Sequence, residues 1–137
     1  MSLTTQALNS EELARYTREG YVVRESVFTD DELEELRGAI ERAAEKAVSQ
    51  VDQGKTYMLD GKRFVDINGM TIQFEHTRNS ETPRVIEPVA GLEPRLNQLL
   101  HDARLVDPMR QLVGSDEVAI WTNKLNLKRP REGTGFG

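Results

Sequence analysis

Lys124-Leu-Asn-Leu-Lys-Arg-Pro-Arg-Glu-Gly-Thr-Gly-Phe-Gly137 is the stretch on which the fold turns. Its first residues continue an alternation that begins at Val118. Val118, Ile120, Thr122, Lys124 and Asn126 share one side, and Ala119, Trp121, Asn123, Leu125 and Leu127 share the other. A period of two sustained from Val118 to Lys128 predicts a long strand. The first row passes from aliphatic side chains to a hydroxyl, an amine and a carboxamide. It therefore either lines a cavity or reaches solvent near the strand end. Lys128-Arg-Pro130 closes the strand, and Gly133-Thr-Gly-Phe-Gly137 reads as a glycine-bearing turn. A phosphate-loop reading of those glycines is weak, because they carry neither the Lys-Ser/Thr pair nor a helix to supply a dipole.

Upstream of this strand the chain is punctuated clearly. Ser10 before Glu11, Glu12, Leu13 and Tyr16 predicts a short capped helix ending at Gly20, and Tyr21-Val-Val-Arg24 predicts a strand. Thr29-Asp-Asp-Glu32 has the form of a capping box. After it Leu33, Leu36, Ile40, Ala43, Ala47 and Val51 recur every three or four residues, which predicts an amphipathic helix from about Asp30 to Val51. Its opposite face, with Glu34, Glu35, Glu41, Arg42, Glu45 and Lys46, reads as solvated. Asp60-Gly61 between Tyr57-Met-Leu59 and Arg63-Phe-Val65 predicts a tight hairpin, and Met70 to Phe74 a further strand. Glu75 to Pro83 reads as a loop. Arg95 to His101 and Leu105 to Val113 have helical spacing, with Asp107-Pro108 starting, ending or kinking a helix. Gly114-Ser-Asp-Glu117 is the next turn, and residues 1–9 are expected to be disordered.

Composition narrows the functional classes. The chain has 137 residues, which fits a single domain, 37% hydrophobic and 30% charged residues, and a net charge of -5. The absence of cysteine excludes disulfides, thiolate metal sites and a cysteine nucleophile, and suits a reducing cytoplasm. No stretch has the roughly 18 consecutive apolar residues of a membrane span, so no membrane partner is expected. Nor is a nucleic acid, because the only basic cluster is Lys124, Lys128, Arg129 and Arg131 in an otherwise acidic chain.

Several of these features, taken in order, resemble the N-terminal half of the phytanoyl-CoA dioxygenase family. Glu11 to Gly20 followed by Tyr21-Val-Val23 is similar to the family's opening helix and strand, and Phe28-Thr-Asp-Asp-Glu-Leu-Glu-Glu-Leu-Arg37 to its second helix. His101 to Gly114 resembles the helix before the core strand, and Trp121 to Pro130 that strand itself. The resemblance implies an α+β fold, with N-terminal helices packed on a double-stranded β-helix (jelly-roll or cupin-like) core of which residues 1–137 supply only the early strands. It implies an oxygenase that uses Fe(II) and 2-oxoglutarate to hydroxylate a small-molecule or acyl substrate.

Such chemistry needs two imidazoles and one carboxylate on one face of the metal. The sequence has two histidines, and neither opens a His-x-Asp or His-x-Glu motif: His76 precedes Thr77-Arg78 and His101 precedes Asp102-Ala103. An improvised triad of His76, His101 and Asp102 is disfavoured, since His101 sits in a helical pattern and His76 in a polar loop. The resemblance places the iron ligands just after Gly137. No catalytic residue, metal ligand or bound cofactor is therefore expected of residues 1–137 alone, which are expected to be inactive and to self-associate through open strand edges. The resemblance also implies that Asn123, Lys124 or Asn126 holds the oxo-acid, with the inward-facing position open by one residue. Lys124 would act as a point charge, Asn123 or Asn126 as a hydrogen-bond donor. The alternative function is a non-catalytic protein-interaction module built on the same fold.

Overall fold

The computed structural model describes residues 6–131, which form four α-helices and a five-stranded antiparallel sheet. α1 (Ser10–Glu19) is capped by Asn9 rather than Ser10, with Glu12 closing the capping box and Gly20 ending the helix in the left-handed conformation. α2 (Asp30–Val48) starts with the predicted box: the Glu32 amide donates to Thr29 Oγ1 at 3.2 Å, and the Thr29 amide donates to Glu32 Oε2 at 2.8 Å. It ends three residues before Val51, which opens a short 3-10 turn, Val51–Gln53.

β1 (Lys55–Leu59), β2 (Lys62–Ile67), β3 (Met70–Phe74) and β4 (Pro83–Glu87) form a meander in sequence order. Asp60 and Gly61 both have positive φ, as the hairpin reading of Asp-Gly requires. α3 (Pro94–Leu99) and α4 (Ala103–Val113) follow, and the chain returns to the sheet as β5 (Leu125–Asn126) beside β4. Pro108 lies inside α4, where the helix runs on past it.

The register sorts the strand residues onto two faces. Val65, Ile67, Met70, Ile72, Phe74 and Ile86 point to one side, where Ala44 and Ala47 of α2 meet them together with Leu127. Leu36, Ala39 and Ala43 continue the same helical stripe onto Val89 and Leu96. Alanine at four of these helix positions lets the α2 backbone approach the sheet closely. The larger side chains of the core, Val65, Ile72, Phe74 and Ile86, are fully buried, a burial worth about 1.5–3 kcal/mol for each.

Three expectations are corrected. The strand predicted from Val118 to Lys128 is only two residues long. A strand needs a neighbour, and β4 is followed by Pro88, which has no amide to give, so the ladder ends at Ile86↔Leu125 and Val85↔Asn126. Tyr21 to Arg24 is extended but pairs with no strand among the described residues, and Tyr21 and Val23 stay exposed. The segment 6–9, expected to be disordered, is fastened down: Leu8 is buried and exchanges two hydrogen bonds with the Gln111 carboxamide, and Arg24 donates to the Gln6 and Ala7 carbonyls. The glycine-bearing turn at Gly133–Gly137 and the first five residues lie outside the described residues.

Candidate functional site

Among the described residues, no element covers the face of the sheet opposite α2. Tyr57, Phe64, Gln73, Val85 and Asn126 form one row across all five strands, and Lys55, Asp66, Thr71 and Glu87 form the row beside it. None of these residues is buried. An antiparallel sheet commonly leaves one face in water, and such a face then reads polar. Here the face is mixed, carrying two aromatic rings and two carboxylates.

Its aromatic and acidic side chains are each held by a neighbour. Tyr57 and Phe64 stack across β1 and β2, with ring centroids 5.5 Å apart and planes 10° from parallel. Asp66 Oδ1 accepts from the Tyr57 hydroxyl at 3.2 Å and from the Thr71 hydroxyl at 2.7 Å. Partial burial, followed by the negative charge of Asp66, pushes the Tyr57 phenol above its usual range. Glu87 Oε1 accepts from the Thr122 hydroxyl at 2.7 Å, and Glu87 Oε2 lies 3.5 Å from Lys124 Nζ. The Thr122 hydrogen bond first, and the Lys124 charge after it, hold the Glu87 carboxyl below its usual range.

Of the three residues from which an oxo-acid contact is expected, two share the open face and the third does not. Asn126 stands on the open face beside Val85, and Lys124 reaches Glu87 on the same face. Asn123 is turned away from it: its carboxamide oxygen accepts from the Val89 and Ala90 amides at 3.0 and 3.2 Å, closing the corner after β4. From Thr122 to Leu127 the odd-numbered residues thus face the helices, with Leu127 buried, and the even-numbered residues face outward.

The described residues do not fit an iron site, since they contain no group of three or more metal-ligating side chains. His76 lies in the β3–β4 loop with its Nε2 3.3 Å from the Gln73 carboxamide nitrogen. Desolvation, and then the nearby charges of Arg84 and Lys62, lowers its pKa. His101 is exposed between α3 and α4. Asp102, the carboxylate of an improvised triad, is instead the N-cap of α4, and both its oxygens are taken by the Arg104 guanidinium at 2.9 and 2.7 Å.

Within the basic cluster, Arg129 forks onto the Glu41 carboxylate at 3.0 and 2.7 Å and Lys124 faces Glu87. No helix of the described residues is long and apolar enough to cross a membrane.

Sequence reasoning missed Glu87 and its contact with Thr122, and the pairing of Tyr57 with Phe64. It left β4 unassigned, although Val-Ile between two prolines was a signal for a short buried strand. It also missed the buried Glu75–Arg84 pair, 3.3 Å apart at the ends of the β3–β4 loop.

The fold and this face together define an α+β protein whose sheet is covered by helices on one side and presents a polar, aromatic face on the other. The family model for phytanoyl-CoA dioxygenase (PhyH) matches residues 16–136, and the chain belongs to that family. It is similar to the ectoine dioxygenase of Nocardia farcinica, with 27% identity over 130 residues, covering 94% of this chain and 37% of that protein. The ectoine dioxygenase of Bordetella bronchiseptica is 27% identical over 131 residues, covering 95% of this chain and 36% of that protein. The chain thus spans little more than a third of the length of the curated relatives it matches. No solved structure matches it.

Proposed function

We propose that residues 1–137 are the N-terminal part of an Fe(II)- and 2-oxoglutarate-dependent oxygenase that hydroxylates a small-molecule or acyl substrate, and that the open face of the sheet is one wall of its cavity. The observation that carries this reading is that the one uncovered sheet face is also the face that bears Lys124 and Asn126. In a double-stranded β-helix a second sheet lies opposite such a face, which suits a family member spanning about a third of its relatives.

Lys124 would supply a cation and Asn126 an amide to a carboxylate of the oxo-acid. Iron would supply oxygen activation, with its ligands drawn from residues outside 1–137. The aromatic pair and Asp66 would form the wall farther along the sheet. Because the relatives named above are ectoine dioxygenases, ectoine is the first substrate to try.

The test uses the protein made from its full coding sequence. Anaerobic calorimetric titration with 2-oxoglutarate is expected to show Lys124→Ala weakening the affinity by about 1.5–3 kcal/mol, the usual worth of a charge-assisted contact. Unchanged affinity and turnover would remove Lys124 from the site.

A second reading, a non-catalytic interaction module, is favoured by the groove of about 610 Å³ between α4 and residues 118–123, which Leu105, Met109, Val113, Val118 and Ile120 line. Trp121 beside it is 99% exposed. Absence of any 2-oxoglutarate-dependent oxygen uptake by the full protein across candidate substrates would favour that module.

A further inference from the structure

Residues 118–124 are not held by the sheet. The β4–β5 ladder begins only at Leu125, so nothing in the ladder fixes which way the side chains before it point. Yet a slip of one residue ahead of the ladder would turn Lys124 to the helix side and bring Asn123 to the open face.

Two side-chain contacts oppose that slip, one on each side of the chain. On the helix side the Asn123 carboxamide is taken by the Val89 and Ala90 amides, and the Asn123 carbonyl also accepts from the Val89 amide at 3.2 Å. On the open side the Thr122 hydroxyl donates to Glu87 at 2.7 Å. The same carboxylate faces Lys124 two residues on, at 3.5 Å. Thr122 and Lys124 therefore meet a single acceptor from successive positions of the even-numbered row. Glu87 is itself fixed in the ladder, opposite Thr71.

We infer that Glu87 is a positioning residue for the oxo-acid contact of Lys124: by accepting the Thr122 hydrogen bond, its side chain sets residues 122–124 so that Lys124 lies on the open face in line with Asn126, which the ladder holds there. The inference rests on the proposed role of Lys124. It assigns the effect to the hydrogen-bond acceptor and not to the charge. The negative charge of Glu87 works the other way, since it competes with an incoming carboxylate for the Lys124 ammonium and repels that ligand. The two contributions can be separated because a glutamine keeps an acceptor oxygen for Thr122 while removing the charge.

The experiment is anaerobic calorimetric titration of 2-oxoglutarate into the ferrous protein made from the full coding sequence, with Glu87→Gln, Glu87→Ala, Thr122→Val and Lys124→Ala compared with wild type. Glu87→Gln is expected to bind at least as tightly as wild type. Glu87→Ala and Thr122→Val are each expected to lose about three- to tenfold in affinity, in keeping with the loss of one hydrogen bond. In steady state the loss should appear in KM for 2-oxoglutarate, with kcat at saturation unchanged. Thr122 is exposed, so its variant tests the idea even if Glu87→Ala fails to fold.

Equal affinities for Glu87→Ala and Glu87→Gln, or no effect of Thr122→Val, would overturn the inference while leaving Lys124 in the site. If Lys124→Ala binds like wild type, the proposed role of Lys124 fails, and the inference built on it falls with it.

Discussion

Gly54 leads from the 3-10 turn into β1 with φ -95° and ψ 172°, angles open to any residue, so Gly54→Ala carries no backbone strain and its effect is decided by space. A Cβ placed there meets Val65 Cγ1 at 2.5 Å, the Asp66 carbonyl oxygen at 2.9 Å and Ile67 Cβ at 3.1 Å. Val65 is fully buried and the Asp66 oxygen belongs to the sheet backbone, so relief requires β2 itself to shift. Overpacking of this kind costs about 1–3 kcal/mol, while the stiffer unfolded chain returns only about 0.4–1 kcal/mol. The net expectation is a destabilisation of about 1–2 kcal/mol.

Gly38→Ala makes the contrast. It lies within α2, and its added methyl meets only Arg42 Nη1 at 3.2 Å, the far end of a flexible side chain. This variant should gain about 0.5–1 kcal/mol from helix propensity. Urea unfolding of the protein made from its full coding sequence, with stability read from midpoint and slope, checks both signs at once. A Gly54→Ala protein as stable as wild type would refute the reasoning, because it would show that the turn does not press on β2.

Three further outcomes are expected. The Glu32 carboxyl is held below its usual 4.5 by the Thr29 amide first and the Arg104 hydrogen bond second. A depressed carboxylate stabilises the fold above its unfolded pKa and loses that contribution as pH falls through the folded one, so Glu32→Gln should flatten the loss of stability below about pH 4.5 in urea unfolding at stepped pH. Residues 1–137 expressed alone should not bind ferrous iron at a facial triad; stoichiometric binding in anaerobic titration that vanished in His76→Ala or His101→Ala would reverse this. The same fragment should self-associate, since Met58 and Leu59 on edge strand β1, and Ile120 and Trp121 beyond α4, are more than half exposed. A cooperative thermal transition with a monomeric mass in sedimentation would contradict that.

The elements the sequence announced are those whose signals are local. Thr29 and Glu32 satisfy each other's amides within one turn, and Asp60-Gly61 supplies the backbone angles of its own hairpin. The recurrence of Leu36, Ala43 and Ala47 follows from helix geometry alone. Each can be read without knowing what lies across the fold. The strand readings at Tyr21–Arg24 and Val118–Lys128 failed for the complementary reason: alternation describes a chain that is able to pair, and pairing depends on whether a neighbour with free amides is present. Asn9 rather than Ser10 is the cap of α1, and both residue types suit that position.

By itself, then, the sequence determined the helices, the first hairpin and the family, because capping, turn chemistry, periodicity and motif order are written along the chain. The tertiary structure decided which row of residues 122–127 faces the open side of the sheet. That row is held by contacts far apart in sequence: the ladder pairs of Leu125 and Asn126, the burial of Leu127, the bonds of Glu87 with Thr122 and Lys124, and those of the Val89 and Ala90 amides with Asn123. A period of two is unchanged when the strand is turned over, so only residues on another element could break the tie.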